Sequence, residues 1–544
     1  MLDGLPILSL IVLSPLAGII LLACIPKERG RLIRAIGIMM AFVPFLLSLW
    51  LYAGFNQQSE GLQFTEQHTW IQLPLSREED LASEAITDYY VQFAYSLGVD
   101  GLSMALVLLT GFISSMAALA SVYVKKRWKS YYILFLLLEA GMLGVFTAQD
   151  LLLFFVFFEM TLIPMFFLVG IWGYMNREKA ANSFLIYNGV GSAVMFIAFL
   201  LLITTAGMTM SINEAQQQMS FIYSGDLQTI SANLLQHADS LVNRVFEGNP
   251  FYADGAMRWT MFVLLLVAFG IKLPIFPFHS WMLRVHTEAP PSVVMIHAGV
   301  LLKMGAYGLL RFGILLFPQE AKAGALVLAV LGVVNILYGA LLAMRQREFK
   351  LILAYSSISH MGIVLLGLAA FNEIGLQGAI FQLVSHGLIS ALLFLIVGNL
   401  YERTATTQID RLGGLAKSIP FTSGMLLIAG MASLGLPLLS GFISEFLALL
   451  GLFGQHPVVT TVGAVGVILT AVYVLRGILR ITYGPLPDAF RDLRDARLVE
   501  AVPMILLVAF IVLIGIWPSV LSEPLGQTVS GFYQTISAVT KTGG

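Results

Sequence analysis

Cysteine and charged residues are scarce in this sequence. Its 544 residues include one cysteine, Cys24, so the chain alone cannot form an internal disulfide, a four-cysteine zinc site or an iron–sulfur cluster. Only 11% of the residues are charged, whereas about 25% is typical of soluble domains. Lys and Arg number 30 against 31 Asp and Glu, which gives a net charge of −1, so no overall basic field points to nucleic acid.

Apolar residues are present in excess and fall into long runs. They make up 58% of the chain, against roughly 45–50% in soluble domains. Runs long enough to cross a bilayer predict about 14 transmembrane helices, and the first is a span and not a cleaved signal because no basic segment precedes it. The predicted spans begin near residues 4, 33, 96, 131, 151, 182, 260, 292, 323, 351, 376, 421, 458 and 500.

Basic residues collect in alternate connections between these spans. The basic set includes 27–34, 125–129, 177–179, 345–350, 401–418 and 476–499. By the positive-inside rule this set faces the cytoplasm, which places both termini on the other side of the membrane. Two long connections, 55–94 and 206–258, fall on that outer side, and the second is expected to contain a short amphipathic surface helix.

Two of the predicted helices carry prolines in their middle. Pro274 and Pro277 lie in FGIKLPIFPFHSW, and Pro437 lies in ASLGLPLLSGFISEF. Proline removes an amide donor and clashes with the preceding turn, so both helices should be interrupted where they face protein or water. Each is fourth in a group of five spans, and because five is odd the second group should run inverted relative to the first. Two unrelated proline kinks are the alternative.

These patterns predict an all-α polytopic membrane protein with two inverted five-helix repeats, each containing one broken helix. The predicted divisions are an N-terminal three-helix part (1–125), a first repeat (126–316), an inverted second repeat (317–483), and a last span with a tail (484–544). The outer loops 55–94 and 206–258 belong to the first and second of these divisions. No separate soluble domain is expected.

Six ionisable side chains fall inside the spans: Glu159, Lys272, Lys303, His360, His386 and Glu445. All but the last lie roughly 12 to 18 Å from a span end at 1.5 Å per residue. A charge at this depth costs about 2.5–3.5 kcal/mol on insertion scales and usually marks an ion or proton path. The row is therefore a candidate proton relay, in which a changing distance from Glu159 would switch Lys272 between holding and releasing a proton. A static Glu159–Lys272 ion pair and neutral histidines that hydrogen-bond between helices are the alternatives, and buried Glu139 has no assigned role.

Four stretches of the chain resemble a known family: FFEMTLIPMFFLVGIWG, GIKLPIFPFHSWMLRVHTEAPPSVVMIHAGVLLKMGAYGLLRFG, LAYSSISHMG and GLPLLSGFISEF. Together they resemble the antiporter-like subunit M family of bacterial NADH-quinone oxidoreductase, respiratory complex I, equivalent to mitochondrial chain 4. The resemblance implies a membrane-arm subunit of this enzyme that translocates protons while other subunits reduce quinone. The family's functional positions fall on Glu159 (fifth helix), Lys272 (broken helix), Lys303 (centre), Glu445 (distal acid), and His360 and His386 (between the half-channels).

The resemblance also carries expectations about cofactors and partners. No cofactor or redox centre is expected on this chain, whereas NADH or another electron donor, FMN, iron–sulfur clusters and quinone are expected in partner subunits. The partners implied are other membrane-arm subunits, including neighbouring antiporter-like ones, within the lipid bilayer and without nucleic acid. Sister pump subunits usually carry lysine at the position of Glu445, and one continues into a long lateral helix, so both this acid and the short tail favour subunit M.

Two other functions remain open from the sequence. Subunits of multisubunit sodium/proton antiporters and of membrane-bound hydrogenases share the glutamate and the lysines, and such an exchanger would carry sodium-dependent flux without NADH or quinone. A structural membrane protein without transport is the third possibility, but it leaves the lysines at mid-depth unexplained.

Overall fold

Membrane-spanning helices make up most of the structure. The computed structural model describes residues 5–75, 87–213, 218–237, 239–246 and 248–542. Within these ranges thirteen helices are long and apolar enough to cross a membrane, and two consecutive shorter apolar helices, Pro420–Ser433 and Ser440–Phe453, supply a fourteenth crossing. The predicted fold class is confirmed for the membrane part.

The helices are numbered here in chain order. Those before the first break are α1 (Ile7–Cys24), α2 (Gly30–Gly54), α3 (Gly101–Ala120), α4 (Trp128–Thr147), α5 (Leu151–Trp172), α6 (Arg177–Thr205), the short α7 (Leu227–Leu235) and α8 (Gly255–Lys272). Those after it are α9 (Ser280–Glu288), α10 (Pro291–Ile314), α11 (Pro318–Ala323), α12 (Ala325–Arg345), α13 (Phe349–Ala369), α14 (Glu373–Thr404), α15 (Pro420–Ser433), α16 (Ser440–Phe453), α17 (Pro457–Thr482), α18 (Leu498–Ile516) and α19 (Ser519–Thr542).

A four-stranded sheet lies at one end of the helical bundle. Its strands β1 (Gln63–Pro74), β2 (Thr87–Val99), β3 (Met208–Asn213) and β4 (Gln218–Ser224) are ordered β1-β2-β4-β3. The pairs β1–β2 and β3–β4 are antiparallel, whereas β2 and β4 are parallel. The sheet thus joins the two long connections that were predicted only as outer loops, and it adds β structure to a fold predicted as all-α. We call this the sheet end and the opposite end, where the basic clusters lie, the basic end.

Acidic side chains begin several helices at the sheet end. Asp100 caps α3 through the Ser103 N–H at 2.9 Å, and Asp254 caps α8 through the Met257 N–H at 2.7 Å. Glu66 of β1 accepts a hydrogen bond from the Leu8 N–H at 2.8 Å, so the sheet itself satisfies the first turn of α1. These carboxylates occupy the positive ends of the helix dipoles and satisfy amides that have no intrahelical partner.

The short helix α7 confirms the amphipathic surface helix expected within 206–258. Asp226 caps it by accepting a hydrogen bond from the Thr229 N–H at 2.9 Å. Its apolar face buries Ile230 and Leu234. The helix therefore covers the bundle at the sheet end.

Both predicted helix breaks are present. The first separates α8 from α9 between Lys272 and Ser280, and the second separates α15 from α16 between Ser433 and Ser440. At the first break Asn335 of α12 accepts a hydrogen bond from the Phe276 N–H at 2.8 Å, while the Trp281 indole N–H donates to the Ile271 carbonyl at 3.1 Å. Neighbouring protein thus satisfies backbone groups that a continuous helix would have paired internally.

The two groups of five crossings pack in the same order. In the first group α4 contacts α5, α5 contacts α6, and α6 contacts both halves of the broken helix. In the second group α12 contacts α13, α13 contacts α14, and α14 contacts both halves of its broken helix. Because each group has five crossings, the second enters the membrane from the opposite end, as an inverted repeat requires.

The core of the bundle is built around α10 and α14. The membrane-spanning windows of both helices are completely enclosed by other parts of the chain. Helix α10 also contains two π-helical stretches, His297–Leu301 and Leu309–Ile314. Such wider turns are uncommon and occur frequently at functional sites.

Candidate functional site

The six predicted site residues lie on six different membrane helices. Five of them are buried: Lys272 at the end of α8, Lys303 in α10, His360 in α13, His386 in α14 and Glu445 in α16. Glu159 of α5 is partly exposed at the surface of the chain. The buried members are thus enclosed by the protein, whereas Glu159 is also accessible from outside the chain.

Four of these residues form one connected chain of polar groups. The ammonium nitrogen of Lys303 lies 2.9 Å from Nδ1 of His386 and also donates to the carbonyl of Ala298. The rings of His386 and His360 are 5.3 Å apart between centroids. Nδ1 of His360 in turn lies 3.4 Å from a carboxylate oxygen of Glu445. A lysine, two histidines and a glutamate therefore lead from α10 to the second broken helix.

Polar side chains of the second repeat surround His360, the third member of this series of polar groups. Its Nε2 lies 3.3 Å from the hydroxyl of Ser433, the last residue before the second break. Gln382 of α14 lies 3.2 Å from its Nδ1, and the carboxamide oxygen of Gln382 accepts a hydrogen bond from Ser444. Both nitrogens of this imidazole therefore have partners, and Gln382 and Glu445 compete for the same one.

Lys272 has a different environment from Lys303. Its ammonium lies 4.8 Å from the ring centroid of Phe158 and 5.5 Å from that of Phe184, and it has no hydrogen-bond partner among the described residues. No ion pair within 4.0 Å joins it to Glu159 in the described part of the chain, and Oε1 of Glu159 is likewise unpartnered. Lys272 and Glu159 are therefore not in direct contact. This arrangement differs from the static ion pair considered above.

A histidine pair between the two lysines was missed by sequence reasoning. Nε2 of His286 lies 2.9 Å from Nδ1 of His297, and both side chains are fully buried. Both lysines lie close enough to interact electrostatically with His297. Helical periodicity did not reveal this pair because His297 begins the first π-helical stretch of α10. Counting 3.6 residues per turn from His297 to Lys303 therefore gives the wrong helix face for the histidine.

A small cavity is lined by His360 and His386. We call it the serine cavity because Ser356, Ser357, Ser390 and Ser433 line it, together with His360, His386 and apolar side chains that include Leu353. Its volume suits about one water molecule. The hydroxyl of buried Tyr473 donates to Ser356 at 2.9 Å on the wall of this cavity.

No metal site is evident in the described ranges. There, no group of three or more His, Cys, Asp and Glu side chains is placed to hold a metal ion. The exposed Cys24 has no disulfide partner, being the one cysteine of the sequence. The chemistry that the arrangement itself supports is proton transfer among amines, imidazoles and carboxylates.

Two broken helices and a buried row of ionisable groups are typical of ion-translocating membrane subunits. A family model described as "NADH:quinone oxidoreductase/Mrp antiporter, TM" matches residues 148–470 of this chain. The match spans more than half of the sequence and includes both breaks and all six predicted site residues. The chain belongs to this family.

Individual relatives match over nearly the whole chain. The NADH-quinone oxidoreductase subunit M of Rhodobacter capsulatus is 36% identical, and the match covers 98% of this chain and 97% of the relative. The chloroplastic NAD(P)H-quinone oxidoreductase chain 4 of Chlorokybus atmophyticus is 35% identical, with 99% and 98% covered. A chain in a solved structure of respiratory complex I from Thermus thermophilus with bound NADH has a TM-score of 0.78 at 28% identity, with 97% and 99% covered. The resemblance inferred from the four sequence stretches is confirmed.

Proposed function

We propose that this chain is a proton-translocating subunit in the membrane arm of an NADH-quinone oxidoreductase. The connected groups of Lys303, His386, His360 and Glu445 are the observation that carries the proposal. Burying such groups at mid-depth costs free energy, and ionisable groups found there usually mark a path for ions or protons. The full-length relatives named for this enzyme point to the same function.

Protons would pass along this row by short transfers. The ammonium of Lys303 can give a proton to Nδ1 of His386 across 2.9 Å. His360 can then accept a proton from the neighbouring imidazole and deliver it to Glu445, after a ring reorientation or through a water. His286 and His297 would reload Lys303 from Lys272, and the charge of Lys272 would respond to its distance from Glu159.

The redox chemistry would take place in other subunits. In this proposal NADH or another donor, FMN, iron–sulfur clusters and quinone belong to partner chains, and neighbouring antiporter-like subunits flank this one in the membrane arm. The chain would lie in the bacterial inner membrane with its basic end toward the cytoplasm and both termini outside. The partly exposed Glu159 would then face a neighbouring subunit, where it could sense that subunit's state.

Substitutions in the row test this function in the assembled complex. We expect Glu445→Gln, which keeps the size of the side chain and removes its exchangeable charge, to lower proton translocation into inverted membrane vesicles about tenfold or more, since a positioned proton-transfer group contributes roughly 10²–10⁴ in rate. Proton uptake would be measured together with quinone reduction, with subunit content determined by immunoblot. Glu139→Gln is the matched control because Glu139 is a fully buried acid outside the row.

The outcomes separate the possible functions. Normal proton uptake in Glu445→Gln would show that the row is not the path. Sodium-dependent flux without NADH or quinone would instead assign the chain to an antiporter complex, a possibility that the breadth of the matched family includes.

A further inference from the structure

A buried lysine at the basic end lies outside the row described above. Lys350 is the second residue of α13, and its ammonium lies 3.8 Å from the ring centroid of Tyr174 and 4.7 Å from that of Tyr401. The ammonium donates one hydrogen bond, to the carbonyl of Thr287 at 3.4 Å. Among the described residues it forms no ion pair with a carboxylate within 4.0 Å. We call the two tyrosines around this lysine the tyrosine cage.

The tyrosine cage opens toward the surface at the basic end. Tyr174 and Tyr401 line a surface hollow together with Asn176, Arg177 and Lys179. Lys350 is only 6% exposed and does not line the hollow, whereas both tyrosines of the cage do. The ammonium has three N–H groups and one carbonyl partner, so two remain to bond water that enters between the tyrosine rings.

On its inner side Lys350 shares a helix face with the relay. Lys350, Leu353, Ser357 and His360 are spaced three, four and three residues apart, which places them along one face of α13. Leu353, Ser357 and His360 all line the serine cavity. Lys350 and Ser357 are about 10 Å apart along the helix axis at 1.5 Å per residue, with Leu353 between them. From the surface inward, the order is the hollow, the cage, Lys350, Leu353, the serine cavity and the two histidines of the relay.

We infer that Lys350 is the residue through which protons reach the relay from the basic end. The inference rests on the proposed function and assigns the uptake side of the same path. The ammonium of Lys350 gives one proton to water in the serine cavity when the Leu353 side chain moves aside, which leaves a neutral amine. The amine then takes a proton from water in the surface hollow, and the cavity water passes its extra proton to His360 or His386, so the charge of Lys350 is restored in each cycle.

A purely structural role for Lys350 predicts a different response to substitution. Arginine keeps the positive charge and stacks on aromatic rings at least as well as lysine, so Lys350→Arg preserves a cation that holds the basic end together. Arginine does not release its proton in proteins, so the same variant cannot carry protons. The variant therefore separates an anchor from a carrier.

The test uses the whole complex in inverted membrane vesicles, whose basic end would face the medium. Proton uptake per quinone reduced would be compared in wild type, Lys350→Arg, Lys350→Met and Lys179→Met. The last is the control because it removes a lysine from the same surface hollow but not from the cage. We expect both Lys350 variants to take up protons about tenfold more slowly or worse, by the same reasoning on proton-transfer groups, and Lys179→Met to match wild type.

Each outcome decides the inference. Proton uptake at the wild-type rate in Lys350→Arg would overturn it and leave Lys350 as an anchor. If Lys350→Met does not assemble, the assembled Lys350→Arg complex still decides. The relay is judged separately by Glu445→Gln: a loss in that variant combined with normal uptake in Lys350→Arg would reject only the role of Lys350.

Discussion

At the scale of single residues, Asn335 shows how a broken helix is made tolerable inside a membrane. This fully buried side chain accepts from the Phe276 N–H at 2.8 Å and lies 3.4 Å from the Pro274 carbonyl. We expect Asn335→Ala to lower the stability by about 1–3 kcal/mol, because a buried amide loses its partner. The melting temperature of the detergent-solubilised complex measures this loss.

A second variant, Asn335→Asp, tests the same site. Aspartate keeps an acceptor for the Phe276 N–H, but at this fully buried position beside the Pro274 carbonyl it must either lose its solvation as a carboxylate or take up a proton, so the melting temperature should fall further than in the alanine variant. Equal melting of wild type and Asn335→Ala would show that another group satisfies the break.

Asp150, at the sheet end, gives a prediction about pH. It begins α5, where it accepts hydrogen bonds from the N–H groups of Leu152 at 2.9 Å and Ala94 at 3.0 Å. Burial raises the pKa of its carboxyl group to about 6, against the counteracting effect of these amides. Because the folded-state pKa is above the unfolded value, the stabilisation from the protonated form is complete below pH about 4 and is lost as the pH rises through about 6.

Acidification should therefore stabilise the wild type more than Asp150→Asn. The asparagine keeps one cap acceptor and does not titrate, so its melting temperature should gain less between pH 7 and pH 5. Thermal unfolding of both complexes at the two pH values provides the measurement. Identical gains would mean that Asp150 does not titrate in this range.

At the scale of helices, the second break depends on one glycine. Gly435 has a φ of +75°, and a Cβ at this position would lie 2.7 Å from a carboxylate oxygen of Glu445. We expect Gly435→Ala to strain the break, displace Glu445 from His360 and lower proton translocation several-fold. Gly424→Ala is the control on α15, because nothing lies within 4 Å of its added Cβ. Equal proton uptake in the two variants would contradict this dependence.

The helices and breaks could be predicted because their signals are local. A bilayer requires a long apolar run for each crossing and a paired backbone throughout, so hydropathy and Pro274, Pro277 and Pro437 were sufficient. The depth of Lys303 and His386 depends on their positions along single helices, and it too was predictable. Their contact at 2.9 Å depends on how α10 and α14 are rotated against each other, which a single sequence does not specify.

The sheet and the histidine pair were not predicted, for two physical reasons. Irregularities between Gln63 and Glu66 and between Thr69 and Ile71 interrupt the alternation of β1, and the parallel partner of β2 is far away in the chain. The π-helical stretch at His297 shifts the helix face on which later residues lie.

At the scale of the whole molecule, the orientation in the membrane can be tested by labelling. In a Cys24→Ala background, we expect Ser59→Cys at the sheet end to react with a membrane-impermeant maleimide in intact cells. Lys179→Cys at the basic end should react only in inverted vesicles, since the basic connections face the cytoplasm. Both side chains are exposed, so access depends on the side of the membrane. The opposite pattern would reverse the proposed orientation.

The parallel pairing of β2 with β4 also sets the mechanics of the molecule. Through its strands and Glu66, the sheet fastens α1, α3 and the α6–α8 connection to one another, whereas the second group of helices contributes no strand within the described ranges. The first repeat is thus joined at the sheet end by paired strands, whereas the backbone pairing of the second repeat, between Glu348 and Gln408, lies at the basic end. We therefore expect the two repeats to differ in rigidity. The repeat joined by the sheet should keep its shape during turnover, and the helices of the other repeat should undergo most of the movement.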